Sequence, residues 1–64
     1  MSIGFDELGL RIGQARRDAG MTQQECASRA EMGRTVLAKI ETGARRVGAV
    51  ELARLANALD MRIE

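Results

Sequence analysis

The fold is decided by residues 21–43, which read MTQQECASRAEMGRTVLAKIETG. Residues 22–25 (TQQE) form a capping box, in which the threonine hydroxyl satisfies the glutamate amide and the glutamate side chain reaches back to the threonine amide. A helix is therefore predicted to begin just after the threonine. Residues 30–33 predict a turn, and a second helix is predicted over residues 34–41, ending before Gly43. Two short helices joined by a tight turn form a helix-turn-helix, an arrangement that indicates DNA binding.

The stretch resembles the helix-turn-helix of the phage repressor and Cro family. The likeness rests on the joint spacing of ten residues: Thr22, Gln23, Glu25, Ala27, Met32, Arg34, Leu37, Ile40, Glu41 and Gly43. It continues back to Gly20 and forward through Leu52, Leu55, Ala56 and Leu59, and so covers nearly the whole chain. The resemblance implies an all-α, compact four- or five-helix bundle that binds operator DNA as a transcriptional regulator.

Composition agrees with a small helical domain. Sixty-four residues make one domain, and with 45% hydrophobic residues, a single aromatic and no proline, the core must consist of aliphatic side chains on closely packed helices. The lone cysteine, Cys26, cannot form an internal disulfide, and without histidine no zinc or other metal site is expected. We expect Cys26 to be a small buried hydrophobic residue rather than a redox switch.

Several classes of function find no support in the sequence. The chain lacks His and Tyr, a glycine-rich phosphate loop after a strand and paired carboxylates in an apolar pocket, so no enzyme, cofactor or small-molecule ligand is predicted. No apolar run is long enough to span a membrane and no secretory signal is present, which predicts a cytoplasmic protein.

Charge is distributed unevenly although the net charge is only +1. Residues 34–46 contain four basic side chains, Arg34, Lys39, Arg45 and Arg46, and one acid, Glu41. A local basic face on a nearly neutral domain suits a site-specific DNA-binding protein, although it is also compatible with an ordinary solvated face.

The flanking segments complete the helical prediction. Helix 1 is predicted over residues 5–19, ended by Gly20, with a buried stripe of Phe5, Leu8, Ile12, Ala15 and Ala19. Gly9 and Gly13 inside it either permit close helix approach or make the helix fray. Helix 4 is predicted over residues 49–59, with a core face of Leu52, Ala53, Leu55, Ala56 and Leu59.

The sequence does not decide the burial of two apolar residues or the structure of the last four residues. Leu10 and Val36 lie off the core stripes and are either partly buried or part of an interface. Residues 61–64 alternate apolar and charged residues, which fits a short strand, a frayed end or a truncation. Because family members commonly continue past this point, we expect either a longer chain of which residues 1–64 are the N-terminal part, or a tail that serves dimerisation.

Three residues depart from the family pattern. Glu31 stands where the turn usually has glycine, and it must adopt a left-handed conformation or reshape the turn. Gly33 replaces the usual Ser or Thr N-cap of the second helix and so offers no hydroxyl to a phosphate. Cys26 replaces a core leucine.

Four outward-facing residues of the second helix are predicted to contact bases: Arg34, Thr35, Ala38 and Lys39. Arg34 has the reach and the fork for guanine O6 and N7, and Thr35 offers a hydroxyl or a methyl group. Ala38 lets the helix approach a thymine methyl, and Lys39 reaches guanine or a phosphate.

The resemblance implies further roles outside that helix. Gln23 matches a glutamine that binds phosphate, and the alternative is a solvated residue beside the capping box. Arg45 and Arg46 lie in a loop that touches the DNA backbone in the family, and the alternative is a role in solubility. Arg16 and Glu41 match a buried structural ion pair, which we favour over contact of Glu41 with cytosine.

The functional prediction is a regulator that binds double-stranded operator DNA, most simply as a homodimer. One rival is a protein-interaction module, as in an antitoxin-like complex, against which the four basic residues on one face argue. The other is a DNA-targeting head of a larger regulator that carries a catalytic domain.

Overall fold

The computed structural model describes residues 4–60 and contains four helices within them. They are α1 (Phe5–Asp18), α2 (Gln23–Arg29), α3 (Arg34–Glu41) and α4 (Ala49–Leu59). No strand occurs in this part of the chain, which confirms the all-α prediction. The boundaries of α2, α3 and α4 agree with the sequence analysis, whereas the expectations for residues 61–64 lie outside the described residues.

Each of the first three helices is followed, two positions after its last residue, by a residue with left-handed backbone conformation. These residues are Gly20 (φ 71°), Glu31 (φ 57°) and Gly43 (φ 79°). At each end the amides of the left-handed residue and of the next residue donate to carbonyls of the last helical turn, as Glu31 and Met32 do to Ser28 and Ala27. Glu31 therefore adopts the strained conformation that glycine would accept at no steric cost, and the turn is not reshaped.

The core lies between the four helices, where α3 packs against α1 and α2, and α4 packs against α2 and α1. Its buried side chains are Ile12, Cys26, Ala27, Ala30, Leu37, Ile40, Leu55 and Leu59. A β-carbon at Gly9 would overlap the Ile40 carbonyl oxygen, and one at Gly13 would lie 3.2 Å from Glu41 Oε1. The two glycines of α1 therefore permit close approach of α3.

Two predicted core positions were wrong. Ala19 is exposed because α1 ends at Asp18 and the chain then turns away through Gly20. Ala53 is exposed because it lies about 100° around α4 from Leu52, at the edge of the apolar stripe. The predicted burial of the Phe5 side chain lies outside what the structure describes.

The structure also shows the burial of the two residues that the sequence left undecided, and the two differ. Leu10 on α1 is 64% exposed, whereas Val36 is half-buried against the core. Cys26 is fully buried, and this burial raises the pKa of its thiol, so it behaves as an apolar core residue. Across residues 4–60, each helix is too short or too polar to cross a membrane.

Candidate nucleic-acid interface

Helix α3 has one buried side and one open side. Leu37 and Ile40 are buried in the core, and Arg34, Thr35 and Lys39 are exposed. Ala38, the fourth predicted base contact, is half-buried. The core thus fixes the orientation of the helix, while the exposed side chains offer hydrogen-bond donors to a ligand outside the fold.

The start of α3 is open as well. Gly33 is its N-cap in an extended conformation and makes no side-chain cap hydrogen bond. Arg34 follows as the first helical residue, at the end of the helix where the backbone amides point outward. Because Gly33 carries no hydroxyl, a phosphate at this end would be bound by the backbone and by neighbouring side chains.

Arg16 and Glu41 connect α1 to the C-terminal end of α3. Arg16 Nε donates to Glu41 Oε2 at 2.7 Å, and Arg16 Nη2 donates to Glu41 Oε1 at 3.1 Å. The remaining Nη1 donates to the Met21 carbonyl at 2.9 Å. Only 12% of the Arg16 side chain and 7% of the Glu41 side chain are exposed. Glu41 thereby raises the pKa of Arg16, and its own carboxylate is held inside the fold.

Gln23 at the start of α2 has two side-chain partners within the domain. Its Nε2 donates to Glu41 Oε1 at 3.1 Å, and its Oε1 accepts from Arg34 Nη1 at 3.5 Å. The Gln23 side chain is half-buried. It is therefore neither a fully solvated residue nor one whose amide is entirely free to bind a phosphate.

The loop after α3 presents the two remaining predicted phosphate contacts, Arg45 and Arg46, both exposed. Arg45 Nη2 donates to Glu51 Oε2 at 2.8 Å. The second oxygen of Glu51 accepts from the Gly48 amide at 3.0 Å and so caps the start of α4. This backbone hydrogen bond, and then Arg45, lower the pKa of Glu51.

Two of these features were not predicted from the sequence. The capping role of Glu51 could have been recognised, because a glutamate three residues after an N-cap position has the spacing of a capping box. The bridging position of Gln23 could not, since its partners lie 11 and 18 residues away and only the folded structure brings them together.

The comparisons with known proteins identify this architecture. Residues 7–63 match the family described as "Helix-turn-helix domain". No curated protein matches the chain closely enough to count as a relative.

Among solved structures, the restriction-modification controller protein C.AhdI from Aeromonas hydrophila is 29% identical with a TM-score of 0.88, covering 91% of this chain and 88% of that chain. The clp gene regulator ClgR from C. glutamicum is 26% identical with a TM-score of 0.89, covering 97% and 80%. A point mutant of the restriction-modification controller protein C.Esp1396I shows the same fold. It is 24% identical with a TM-score of 0.88, covering 95% of this chain and 77% of that chain. In agreement with the resemblance seen in residues 22–43, the chain belongs to the helix-turn-helix domain family.

Proposed function

We propose that this chain is a transcriptional regulator that binds operator DNA with α3 in the major groove. The observation that carries the proposal is the two-sided character of α3, whose core side is buried and whose open side presents Arg34, Thr35 and Lys39. A helix held in this way can enter a groove without losing its orientation. Two of the similar solved structures are described as a restriction-modification controller protein and a clp gene regulator, which supports a regulatory role. We propose that a regulator of this kind is located in the cytoplasm.

Base readout is assigned to the open side of α3. Arg34 is the strongest candidate, because an exposed guanidinium at the start of the helix can bind guanine O6 and N7 with two hydrogen bonds. Thr35 and Lys39 add donors further along the helix, and the small Ala38 lets the helix backbone approach a thymine methyl group.

Phosphate contacts are assigned to Gln23, Arg45 and Arg46. The Arg45–Glu51 ion pair does not exclude this role, because the side chains are 47% and 24% exposed. An exposed pair of this kind is weak, at about 0–1 kcal/mol, so a DNA phosphate can take the place of the carboxylate.

The test is selection from a library of random duplexes at physiological salt, followed by titrations of two variants. Enrichment of one palindromic motif is expected, and Arg34→Ala should cost roughly 1–3 kcal/mol on that motif and relax the choice at one base position. Arg45→Ala should weaken all duplexes equally and reduce the salt slope by about one unit. A library without enrichment would contradict sequence-specific binding and favour a protein-interaction module.

Binding as a symmetric dimer completes the proposal. One α3 reads only a few base pairs, which is too little to find a site among many competitors, so two copies on half-sites roughly 34 Å apart are expected. Helix α4 offers Val50, which is 65% exposed, as an apolar contact. We expect weak self-association in sedimentation that strengthens on a full palindrome. Equal affinity for the palindrome and for a half-site, with one chain on each, would rule out the dimer.

A further inference from the structure

Glu51, the third residue of α4, connects the start of that helix to the loop after α3. Its Oε1 accepts from the Gly48 amide at 3.0 Å, and its Oε2 accepts from Arg45 Nη2 at 2.8 Å. The two oxygens of one carboxylate therefore have different partners. One oxygen holds the backbone at the start of α4, and the other holds a side chain that is assigned to the DNA backbone.

The backbone of Arg45 is fixed independently of this ion pair. Its amide donates to the Lys39 carbonyl at 3.2 Å, which ties the residue to the last turn of α3. The guanidinium can therefore leave Glu51 by rotation of the side chain alone, and this side chain is 47% exposed, so a phosphate can reach it. Glu51 does not need to move in this exchange, because its other oxygen still accepts from the Gly48 amide.

A carboxylate and a DNA phosphate offer an arginine the same chemistry, namely negatively charged acceptor oxygens. When Arg45 binds a phosphate, its hydrogen bond to Glu51 must first break. The phosphate then lies close to the negative charge of Glu51, and like charges repel. Both effects oppose binding, and neither depends on the base sequence, because every duplex presents the same phosphates.

We propose that Glu51 competes with DNA phosphates for Arg45 and so lowers the affinity of the domain for duplexes of every sequence, an inference that rests on the proposed function. Phosphate contacts supply essentially all of the non-specific affinity of a DNA-binding protein. Glu51 therefore reduces the binding of the domain to DNA that lacks its site, while the base contacts of α3 lie outside the competition.

A double-mutant cycle on DNA tests the competition through Glu51→Gln. The amide oxygen of glutamine can still accept from the Gly48 amide, whereas the negative charge is removed. Because an exposed ion pair is weak, affinity for the selected duplex and for an unrelated duplex should both rise about 2- to 5-fold. In the Arg45→Ala background the same substitution should have little effect, because the side chain for which Glu51 competes is absent.

The matched control is Glu7→Gln on α1. It removes one negative charge from an exposed ion pair, whose other member, Arg11, lies 3.4 Å away and does not belong to the proposed interface. Its effect on affinity should be clearly smaller. Equal gains from Glu51→Gln in both Arg45 backgrounds, or no gain beyond that of Glu7→Gln, would overturn the competition. If the wild-type domain prefers no duplex, sequence-specific binding fails instead.

The pKa of Glu51, followed by NMR of its side-chain carboxyl carbon, gives a second measurement. In the free protein the Gly48 amide, and then Arg45, hold this pKa below its ordinary value. The Glu51 pKa should rise in free Arg45→Ala, and it should also rise in the wild-type protein when the selected duplex is bound. A Glu51 pKa that is the same with and without bound DNA would show that Arg45 stays on the carboxylate, and would overturn the proposal even though the domain binds DNA.

Discussion

Removal of one member of the Arg16–Glu41 ion pair is expected to destabilise this domain more than most single substitutions. Glu41→Ala takes away two of the three hydrogen bonds that Arg16 makes, and leaves a guanidinium that is 12% exposed beside the Met21 carbonyl. The unpaired charge cannot reach water fully, and among residues 4–60 no other carboxylate forms an ion pair with it. The destabilisation is therefore dominated by the charge left behind and not by the attraction that is lost.

The magnitude follows from this burial. Breaking a buried pair by removing one partner costs about 3–5 kcal/mol. A chain of 64 residues has a free energy of unfolding of only about 3–10 kcal/mol at typical values per residue. Glu41→Ala should therefore remove most of the stability. Replacing both partners by apolar residues, in Arg16→Met with Glu41→Leu, should cost clearly less than the sum of the single substitutions.

Urea unfolding followed by circular dichroism measures each member of this cycle, with a stabilising osmolyte added where a single variant is partly unfolded. The matched control is the surface pair Glu7–Arg11, whose charged atoms lie 3.4 Å apart on side chains that are more than half exposed. Its coupling energy should not exceed about 0.5 kcal/mol. Additive losses at Arg16 and Glu41, as at the control pair, would refute the reasoning.

Three further results are expected from measurements of stability. Glu31→Gly should raise the free energy of unfolding by up to about 1 kcal/mol, because it relieves a left-handed φ of 57°, and a loss of stability would show that the Glu31 side chain compensates for the strain. Gly9→Ala should lower it by about 1–3 kcal/mol, because the new methyl group meets the Ile40 carbonyl, and an unchanged melting temperature would contradict this close approach. The amide of Thr22 lowers the pKa of Glu25 in the folded state, so this carboxylate stabilises the fold above its ordinary pKa of 4.5 and the stabilisation is lost as the pH falls further. Glu25→Ala should therefore weaken the dependence of stability on pH below about 4.5, and an unchanged acid profile would contradict the capping box.

Helix boundaries were predictable because local signals define them. The TQQE box fixed the start of α2, and both of its hydrogen bonds form, at 3.0 and 2.9 Å. Gly20 and Gly43 marked the ends of α1 and α3 through their left-handed conformations. Each signal acts over three or four residues, so sequence alone contains all the partners involved.

Burial at the edge of a helical stripe was less predictable. Ala19 and Ala53 are both apolar at helical spacing, yet both are exposed in the structure. Alanine is small enough that exposure costs little, so its position in a pattern constrains packing less than that of leucine or isoleucine. The close contact of Gly9 with Ile40, similarly, depends on the distance between two helices, which periodicity does not specify.

The hydrogen bonds among Arg16, Glu41 and Gln23 hold the Gln23 amide in one orientation, which apolar residues at positions 16 and 41 could not do. Apolar residues at positions 16 and 41 can fill the same space and restore much of the stability, because the cost of removing two charges from water is then avoided. They cannot accept the hydrogen bond of Gln23 Nε2, which is 3.1 Å from Glu41 Oε1 in the present structure. Without that acceptor the Gln23 amide is free to rotate, and its oxygen is no longer held toward Arg34. A charged pair that contributes little net stability can therefore still determine which atom of the Gln23 amide faces Arg34.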